Sequence, residues 1–120
     1  MGYTLEVSLE KKAVRGYKEY YIVYIREHFG GDYVTSHRAG KLYIKEDKNG
    51  KPYFSIFLNR VWQGKHIGSS AVKLFLYLTH EKKFYAVTRV SNLAMNRILR
   101  QTGWKKIPGG RQAEYMFEKK

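Results

Sequence analysis

Apolar residues occupy every second position from Tyr3 to Leu9, with polar residues between them. A period of two is typical of a strand that buries one face, so we predict a strand over residues 3–9. The spacing then changes to three and four residues in a run that contains Tyr17, Tyr20, Tyr21, Tyr24, Ile25 and Phe29. This spacing predicts an amphipathic helix over residues 12–28, which Gly30 and Gly31 would end.

A glycine and an asparagine mark a hairpin near the middle of the chain. A polar loop follows residue 29, and two apolar runs, residues 42–44 and 52–58, then flank Asn49-Gly50. This dipeptide favours a tight turn because both of its residues accept positive φ, so we predict two antiparallel strands here.

The second half of the chain alternates helices and strands. Residues 69–79 are apolar nearly all round and predict a well-buried helix, and residues 85–90 predict a strand after it. A helix over residues 92–102, ended by Gly103, and a last strand over residues 114–118 complete the pattern. The order of strand, helix, hairpin, helix, strand, helix and strand predicts an α/β fold with at least one βαβ crossover.

The charge of the chain is strongly positive. Its 23 Lys and Arg residues outnumber its 10 Asp and Glu residues, which gives a formal net charge of +13 over 120 residues. A field of this size attracts polyanions, and the cations are spread along the chain rather than collected in one tail. We therefore predict a polyanionic partner, with a purely solubilising role of the lysines as the alternative.

Composition excludes several kinds of chemistry. The chain has no cysteine, so it has no disulfide, no thiolate metal site and no cysteine nucleophile. Its four histidines lack metal-ligand spacing, which predicts that no metal is bound. No apolar run is long enough to span a bilayer or to form a signal peptide. We expect one cytoplasmic domain over residues 1–120, monomeric or homodimeric, without membrane contact.

A glycine-containing segment joins the 52–58 strand to the buried helix. Gly64 and Gly68 allow tight turning and close approach of a ligand, and free amides at a helix start attract anions. Lys65 adds a cation, and Ser69 or Ser70 can cap the helix or bind a phosphate oxygen. The segment lacks the Gly-Lys-Ser/Thr ending of a nucleotide P-loop, and no acidic residue is placed for a dinucleotide ribose. The pattern therefore favours the pyrophosphate of a ligand that is neither a P-loop nucleotide nor a dinucleotide.

Two motifs resemble signatures of the GNAT superfamily of N-acyltransferases. The segment Gln63-Gly64-Lys65-His66-Ile67-Gly68 resembles the acyl-CoA pyrophosphate loop of that family. The segment from Asn92 to Gly103-Trp104 resembles its second signature, an Asn, a short helix, a Gly and an aromatic residue. The resemblance covers residues 52–107, and one strand of the usual sheet is not found in the first fifty residues. It implies a compact domain with a mixed, largely antiparallel sheet splayed at an acyl-CoA cleft.

The resemblance also implies a function and a set of cofactor-binding residues. The function is transfer of an acyl group, acetyl in most members, from coenzyme A to an amine. The residues implied to bind acetyl-CoA are Phe57, Leu58, Gln63, Gly64, Lys65, His66, Ile67, Gly68, Ser69, Ser70 and Asn92.

The chain departs from the family pattern at two positions. His66 stands where the family's first loop Gly is usual, which requires a backbone angle that a Cβ atom tolerates. Leu99 stands where many members carry a Tyr proposed to protonate the departing thiolate. No base is evident in the 52–58 strand, so Asn92, His37 and Glu46 are the candidate catalytic residues, with Glu27 as a further candidate base.

The acceptor is predicted from the distribution of cations. Five basic residues in and after the last helix form a candidate nucleic-acid surface: Arg97, Arg100, Lys105, Lys106 and Arg111. Four more lie on the predicted first helix: Lys11, Lys12, Arg15 and Lys18. They favour an amine on a modified base, a charged tRNA or a nucleic-acid-associated protein as acceptor. The alternative is a non-catalytic nucleic-acid-binding or inhibitor protein built on the same scaffold.

Overall fold

Seven strands form one sheet in the computed structural model of the chain, which describes residues 2–120. The strands are β1 Thr4–Lys12, β2 Glu19–His28, β3 Val34–Glu46, β4 Pro52–Leu58, β5 Lys83–Thr88, β6 Lys105–Ile107 and β7 Ala113–Glu118. The helices are α1 Ile67–Leu78 and α2 Leu93–Gln101, and a short 3-10 turn, Arg60–Trp62, precedes α1. The strand order is β1-β2-β3-β4-β5-β7-β6, antiparallel throughout except between β4 and β5. The predicted mixed, largely antiparallel α/β sheet is therefore confirmed.

The helix predicted over residues 12–28 is wrong. Residues 4–12 continue as β1, and after a short connection β2 runs antiparallel to it, with Val7 opposite Ile25 and Leu9 opposite Val23. The prediction failed because residues 20–25 are all apolar, so they satisfy a helical period and a strand period equally well. Aromatic and β-branched residues pack well on a pleated sheet. Pairing with β1 on one side and β3 on the other stabilises this segment as a strand.

The polar loop predicted after residue 29 is also wrong over most of its length. Ser36, His37 and Arg38 belong to β3, which begins well before the strand predicted over residues 42–44. The strand of the first half that the sequence pattern did not reveal is β2. The register between β2 and β3 shifts at Val23/Tyr24, and Ala39 is fully buried at this bulge. A bulge interrupts the alternation of polar and apolar positions, which hides a strand from pattern analysis.

The hairpin between β3 and β4 is confirmed. Asp47 closes it, since its carboxylate accepts the amides of Asn49 at 2.8 Å and Lys51 at 2.9 Å. Gly50 has a φ of 81°, whereas Asn49 does not have positive φ. The turn therefore uses one left-handed residue, not the two that a tight two-residue turn requires.

The core lies between one face of the sheet and both helices. Phe75 of α1 contacts Tyr21, Phe54 and Phe84, with ring centroids 5.9, 4.8 and 5.6 Å away. Trp104, just after α2, contacts Phe54 and Phe84 as well, so the two helices cover the same face. The other surface of α1 is open, because Tyr77 is 82% exposed, and the predicted all-round burial of this helix is wrong.

Within residues 2–120, neither helix has the length and apolar character needed to cross a membrane.

Candidate functional site

The sheet opens between β4 and β5. These two parallel strands are paired at one position, Tyr53 with Tyr85, so the rest of β4 has no partner on that side. The Asn59 amide donates to the Ala39 carbonyl at 2.7 Å, and this pair continues the β3–β4 pairing by one residue beyond Gly40 and Leu58. Bonded positions alternate in an antiparallel ladder, so the main-chain groups of Ile56 and Leu58 point away from β3 into the gap. The gap therefore has main-chain donors and acceptors along one wall.

The segment after β4 is held against the end of this gap. The side-chain amide of Gln63 donates to the Leu58 carbonyl at 3.0 Å, one of the groups that faces the gap. The amide of Trp62 donates to the Asn59 carbonyl at 2.9 Å, and the Trp62 ring is buried in the core. The loop from Gln63 to His66 is therefore fixed at its β4 end, while Gly64, with a φ of 76°, remains exposed.

The start of α1 faces this loop without a side-chain cap. Its N-cap residue, His66, makes no capping hydrogen bond, and no acidic residue lies in the first turn. The first intrahelical bond runs from the Ser70 amide to the His66 carbonyl at 3.2 Å, which leaves the amides of the three preceding residues free of helical partners. Free amides at a helix start carry partial positive charge and bind anions.

His66 adopts the left-handed conformation, which residues with a Cβ atom rarely occupy. Its φ of 64° and ψ of 11° make it the one non-glycine residue with positive φ in residues 2–120. A Cβ atom in this region costs about 1–2 kcal/mol, and glycine costs less there. The Cβ atom of His66 therefore strains the main chain just before α1.

We expect His66→Gly to stabilise the protein. Relief of the strain outweighs the added freedom of the unfolded chain, so the free energy of unfolding should rise by up to about 1 kcal/mol. Denaturant unfolding measures this change, and His66→Val serves as the opposite control because a β-branched residue is poorly accommodated in this region. Equal stability of His66→Gly and His66→Val would contradict the strained conformation.

Gly68 has a packing role that the sequence did not indicate. A Cβ atom on it would meet Ile98 Cδ1 of α2 at 3.2 Å and Leu58 Cδ1 of β4 at 3.6 Å. Its lack of a side chain therefore lets α1 approach both α2 and the end of β4. The neighbouring Ile67 is buried, so only its main chain is available to a ligand.

Asparagines organise the start of α2 on the other side of the gap. Asn92 caps this helix, because its side-chain oxygen accepts the Met95 amide at 3.1 Å. The buried Asn96 donates to the carbonyls of Arg89 at 3.0 Å and Asn92 at 2.7 Å, and accepts the Tyr115 hydroxyl at 2.6 Å. It thus joins the end of β5, the start of α2 and β7. In the sequence, Asn96 was visible only as a polar residue among the apolar positions of the predicted helix.

The three candidate catalytic residues do not lie together. His37 and Glu46 are nine residues apart on β3, a separation of roughly 30 Å at the usual rise of a strand. Asn92 lies beyond β5 and is engaged as a helix cap. The structure therefore excludes a catalytic group formed by all three, although each remains a prediction by itself.

His37 and Glu46 each have a local partner. His37 Nε2 is 2.6 Å from Glu27 Oε1, and Glu27 also accepts the Tyr3 hydroxyl at 2.6 Å. Hydrogen bonding by Tyr3, and secondarily by His37, lowers the pKa of Glu27. Glu46 lies 3.4 Å from Lys18 on the surface. Within residues 2–120, no three His, Asp or Glu side chains group as a metal site requires.

Phe57 does not line the gap. Its ring is 53% exposed on the sheet face opposite the helices, and its main-chain groups point towards β3. The other predicted cofactor-binding residues surround the gap or the start of α1. Leu99, in contrast, is 1% exposed and belongs to the core.

The two predicted groups of basic residues lie at opposite edges of the sheet. The predicted nucleic-acid surface of Arg97, Arg100, Lys105, Lys106 and Arg111 is exposed on α2, the edge strand β6 and the loop after it. Because the predicted first helix does not exist, Lys11 and Lys12 end β1, and Arg15 and Lys18 lie in the β1–β2 connection. The two groups therefore belong to separate surfaces.

No family model matches the sequence, and a search of curated proteins finds no match either. Solved structures do match. A domain from Methanocaldococcus jannaschii superposes with a TM-score of 0.67 at 24% identity, over 83% of this chain and 66% of that chain. The GNAT domain of S. lividans PAT gives 0.59 at 13% identity, over 80% and 60%. The spermidine N-acetyltransferase from Vibrio cholerae, solved with CoA and spermine, gives 0.64 at 14% identity, over 84% and 65%.

These similarities show that the chain has the GNAT fold, as the two motifs predicted. The chain spans slightly less than two thirds of the length of these structures.

Proposed function

We propose that the chain is an acyl-CoA-dependent N-acyltransferase, with acetyl-CoA as its acyl donor. The single observation that carries this proposal is the continuity of the open β4 edge with the uncapped start of α1. A ligand bound along both would need an extended arm with amide groups and a pyrophosphate at its far end. Acetyl-CoA has this composition, and several solved proteins of the same fold are acetyltransferases.

The pyrophosphate is the first part of the ligand that the chain's residues explain. The amides of Ile67, Gly68 and Ser69 have no helical acceptor, and Lys65 places a cation just before them. No acidic residue in the first turn opposes a negative ligand. Main-chain amides and a lysine together favour phosphate oxygens over uncharged groups.

The pantetheine arm is the second part. Its amide groups can pair with the main chain of Ile56 and Leu58, as an added strand would, because β5 leaves this edge free. Acyl-CoA supplies an activated thioester whose C–S bond breaks as the acceptor amine forms a C–N bond. An amide of β4 is placed to donate to the carbonyl oxygen as negative charge develops on it.

The proton transfers are assigned to solvent in this proposal. The buried Leu99 has no hydroxyl to offer, His37 and Glu46 are too far apart to act as a pair, and Asn92 is engaged as a helix cap. The acceptor nitrogen releases its proton to water, and the thiolate takes one from water. The same facts support a second candidate function, in which acetyl-CoA binds without turnover on a non-catalytic scaffold.

The acceptor that we propose is an amine of a modified base, a charged tRNA or a lysine of a nucleic-acid-associated protein. The support for it is the net charge of +13 and the exposure of the predicted nucleic-acid surface on α2 and β6.

Acetyl-CoA binding tests the proposal directly. At acetyl-CoA about 100-fold above its Kd, the protein should gain about 2.7 kcal/mol of stability, which appears as a raised melting temperature. Lys65→Glu should weaken binding about tenfold, because it places a negative charge beside the pyrophosphate. Lys48→Glu is the matched control, because Lys48 is equally exposed but lies in the β3–β4 turn.

An unmoved melting temperature at millimolar acetyl-CoA would contradict the proposal. A bound but unconsumed acetyl-CoA, followed by mass spectrometry with candidate amines, would favour the non-catalytic alternative.

A further inference from the structure

The sheet face opposite the helices carries rings and cations, and neither helix packs on it. Tyr17, in the β1–β2 connection, packs edge-on against Tyr20 and Tyr43 of this face. We call this surface the open face and define it by ten side chains of β2 to β5: Tyr20, Tyr24, Arg26, Arg38, Lys41, Tyr43, Lys45, Tyr53, Phe57 and Tyr85. The register places them together, since Tyr20 pairs with Tyr43 and Lys41 pairs with Phe57. Both helices pack on the other face, so these side chains border solvent.

Three rings of the open face form a row, and two more form a separate pair. Tyr20 and Tyr43 are stacked, with centroids 5.8 Å apart and planes within 6°, and Tyr43 stacks on Phe57 at 6.0 Å and 27°. Tyr53 and Tyr85 form a second pair at 6.0 Å. An aromatic row with one exposed side offers flat surfaces on which planar groups can stack.

Cations lie among the rings. Lys41 Nζ is 5.6 Å from the Phe57 ring, and Lys51 Nζ, at the rim, is 4.1 Å from the Tyr85 ring. Lys41 and Arg38 also line a groove of about 330 Å³ beside Phe57. In the described part of the chain, the outward positions of β2, β3 and β4 carry no acidic residue. The acids Glu6, Glu10 and Glu114 lie on flanking strands, where each is paired with a cation.

We propose that the open face binds single-stranded nucleic acid. Its rings can stack on unpaired bases, and Arg38, Lys41 and Lys45 can neutralise the phosphates between them. An acidic protein would match the charge but has few planar groups to stack on the rings. A second copy of the chain would bring like charges together on this face. Interleaved rings and cations without acids therefore favour nucleic acid.

The proposal does not rest on acyl transfer. The open face and the start of α1 are separate surfaces, so one can fail while the other stands. If both are correct, the open face explains how a nucleic-acid acceptor is held near the gap between β4 and β5.

Fluorescence anisotropy with a labelled single-stranded RNA of about twelve nucleotides, in the absence of coenzyme A, tests the proposal. The double variant Tyr43→Leu/Phe57→Leu removes two rings but keeps apolar volume, and should weaken binding at least about tenfold. The double variant Lys41→Gln/Lys45→Gln should reduce the slope of log Kd against log salt by about 1.4, at about 0.7 for each phosphate contact.

The control is Lys73→Gln/Tyr77→Leu on the exposed surface of α1, which removes one cation and one ring outside the open face. It should leave the Kd unchanged within about twofold, because these residues lie outside the open face. Circular dichroism checks that the variants fold. If Tyr43→Leu prevents folding, Phe57→Leu alone decides, because Phe57 is 53% exposed.

Three results would overturn the proposal. The first is no binding of RNA or of the same sequence as single-stranded DNA. The second is an affinity for RNA that equals the affinity for heparin and that the ring variants leave unchanged, which would indicate a polyanion site without stacking. The third is a dimer in sedimentation experiments that Phe57→Leu dissociates while RNA does not bind, which would assign the open face to a second copy.

Discussion

Replacement of Gly40 by alanine should destabilise the protein more than any other single methyl group added to the sheet. A Cβ atom at this position would lie 2.0 Å from the Phe57 carbonyl oxygen and 3.0 Å from the Leu58 Cα. Both are main-chain atoms of β4, so no side-chain rotation can relieve the contact. The strands must separate, and we expect a loss of roughly 2–4 kcal/mol in the free energy of unfolding.

Denaturant unfolding of Gly40→Ala against the unmodified protein measures this loss. Gly2→Ala is the control, because a Cβ atom there has no neighbour within 4 Å. A Gly40→Ala protein as stable as the control would mean that β3 and β4 do not approach so closely beside the Ala39 bulge. Since Gly40 pairs with Leu58, the same measurement reports on the wall of the proposed acyl-CoA gap.

Ile56→Pro should nearly abolish acetyl-CoA binding while the protein stays folded. Proline lacks the amide that faces the gap, and its ring occupies the space where the pantetheine arm would pair. The β3–β4 ladder survives, because the main chain of Ile56 points away from β3. Because this hydrogen bond is lost and the arm is blocked, the Kd for acetyl-CoA should rise by at least about 100-fold.

Ile56→Ala separates the amide from the side chain. It loses the same packing against the core but keeps the amide, so its Kd for acetyl-CoA should stay within about threefold of the unmodified protein. Phe57→Pro should instead unfold the protein, because the Phe57 amide belongs to the ladder with β3. Equal acetyl-CoA affinity of Ile56→Pro and Ile56→Ala would remove the gap from the proposed site.

The sequence predicted the main elements of the second half of the chain to within about two residues, although it did not reveal the short strand β6. The strand over residues 52–58 and the helix before Gly103 fall where the pattern put them, within one or two residues. The departures from the family pattern at His66 and Leu99 were also visible in the sequence. In the structure, His66 has a left-handed backbone and the Leu99 side chain lies in the core. Local sequence patterns are sufficient to predict an element whose stabilising contacts are made mostly by residues close in sequence.

The first half could not be predicted in this way. Residues 20–25 are apolar at every position because β2 is covered by β1 and β3 at its edges, with Tyr21, Val23 and Ile25 towards the helices and Ile22 buried on the other side. Such a run carries no period that separates a helix from a strand. The bulge at Ala39 then hid the first part of β3, of which only residues 42–44 were predicted as a strand.

The residues themselves determined the positive charge, the absence of cysteine chemistry, the hairpin at Gly50, and a glycine-containing loop before the start of a helix. Only the tertiary structure decided that β4 and β5 separate after one pair, that both helices cover the same face, and that rings from four strands meet on the other. These features depend on the register and direction of strands distant in sequence. Pairing between distant strands is set by how the whole core packs, which no local pattern records.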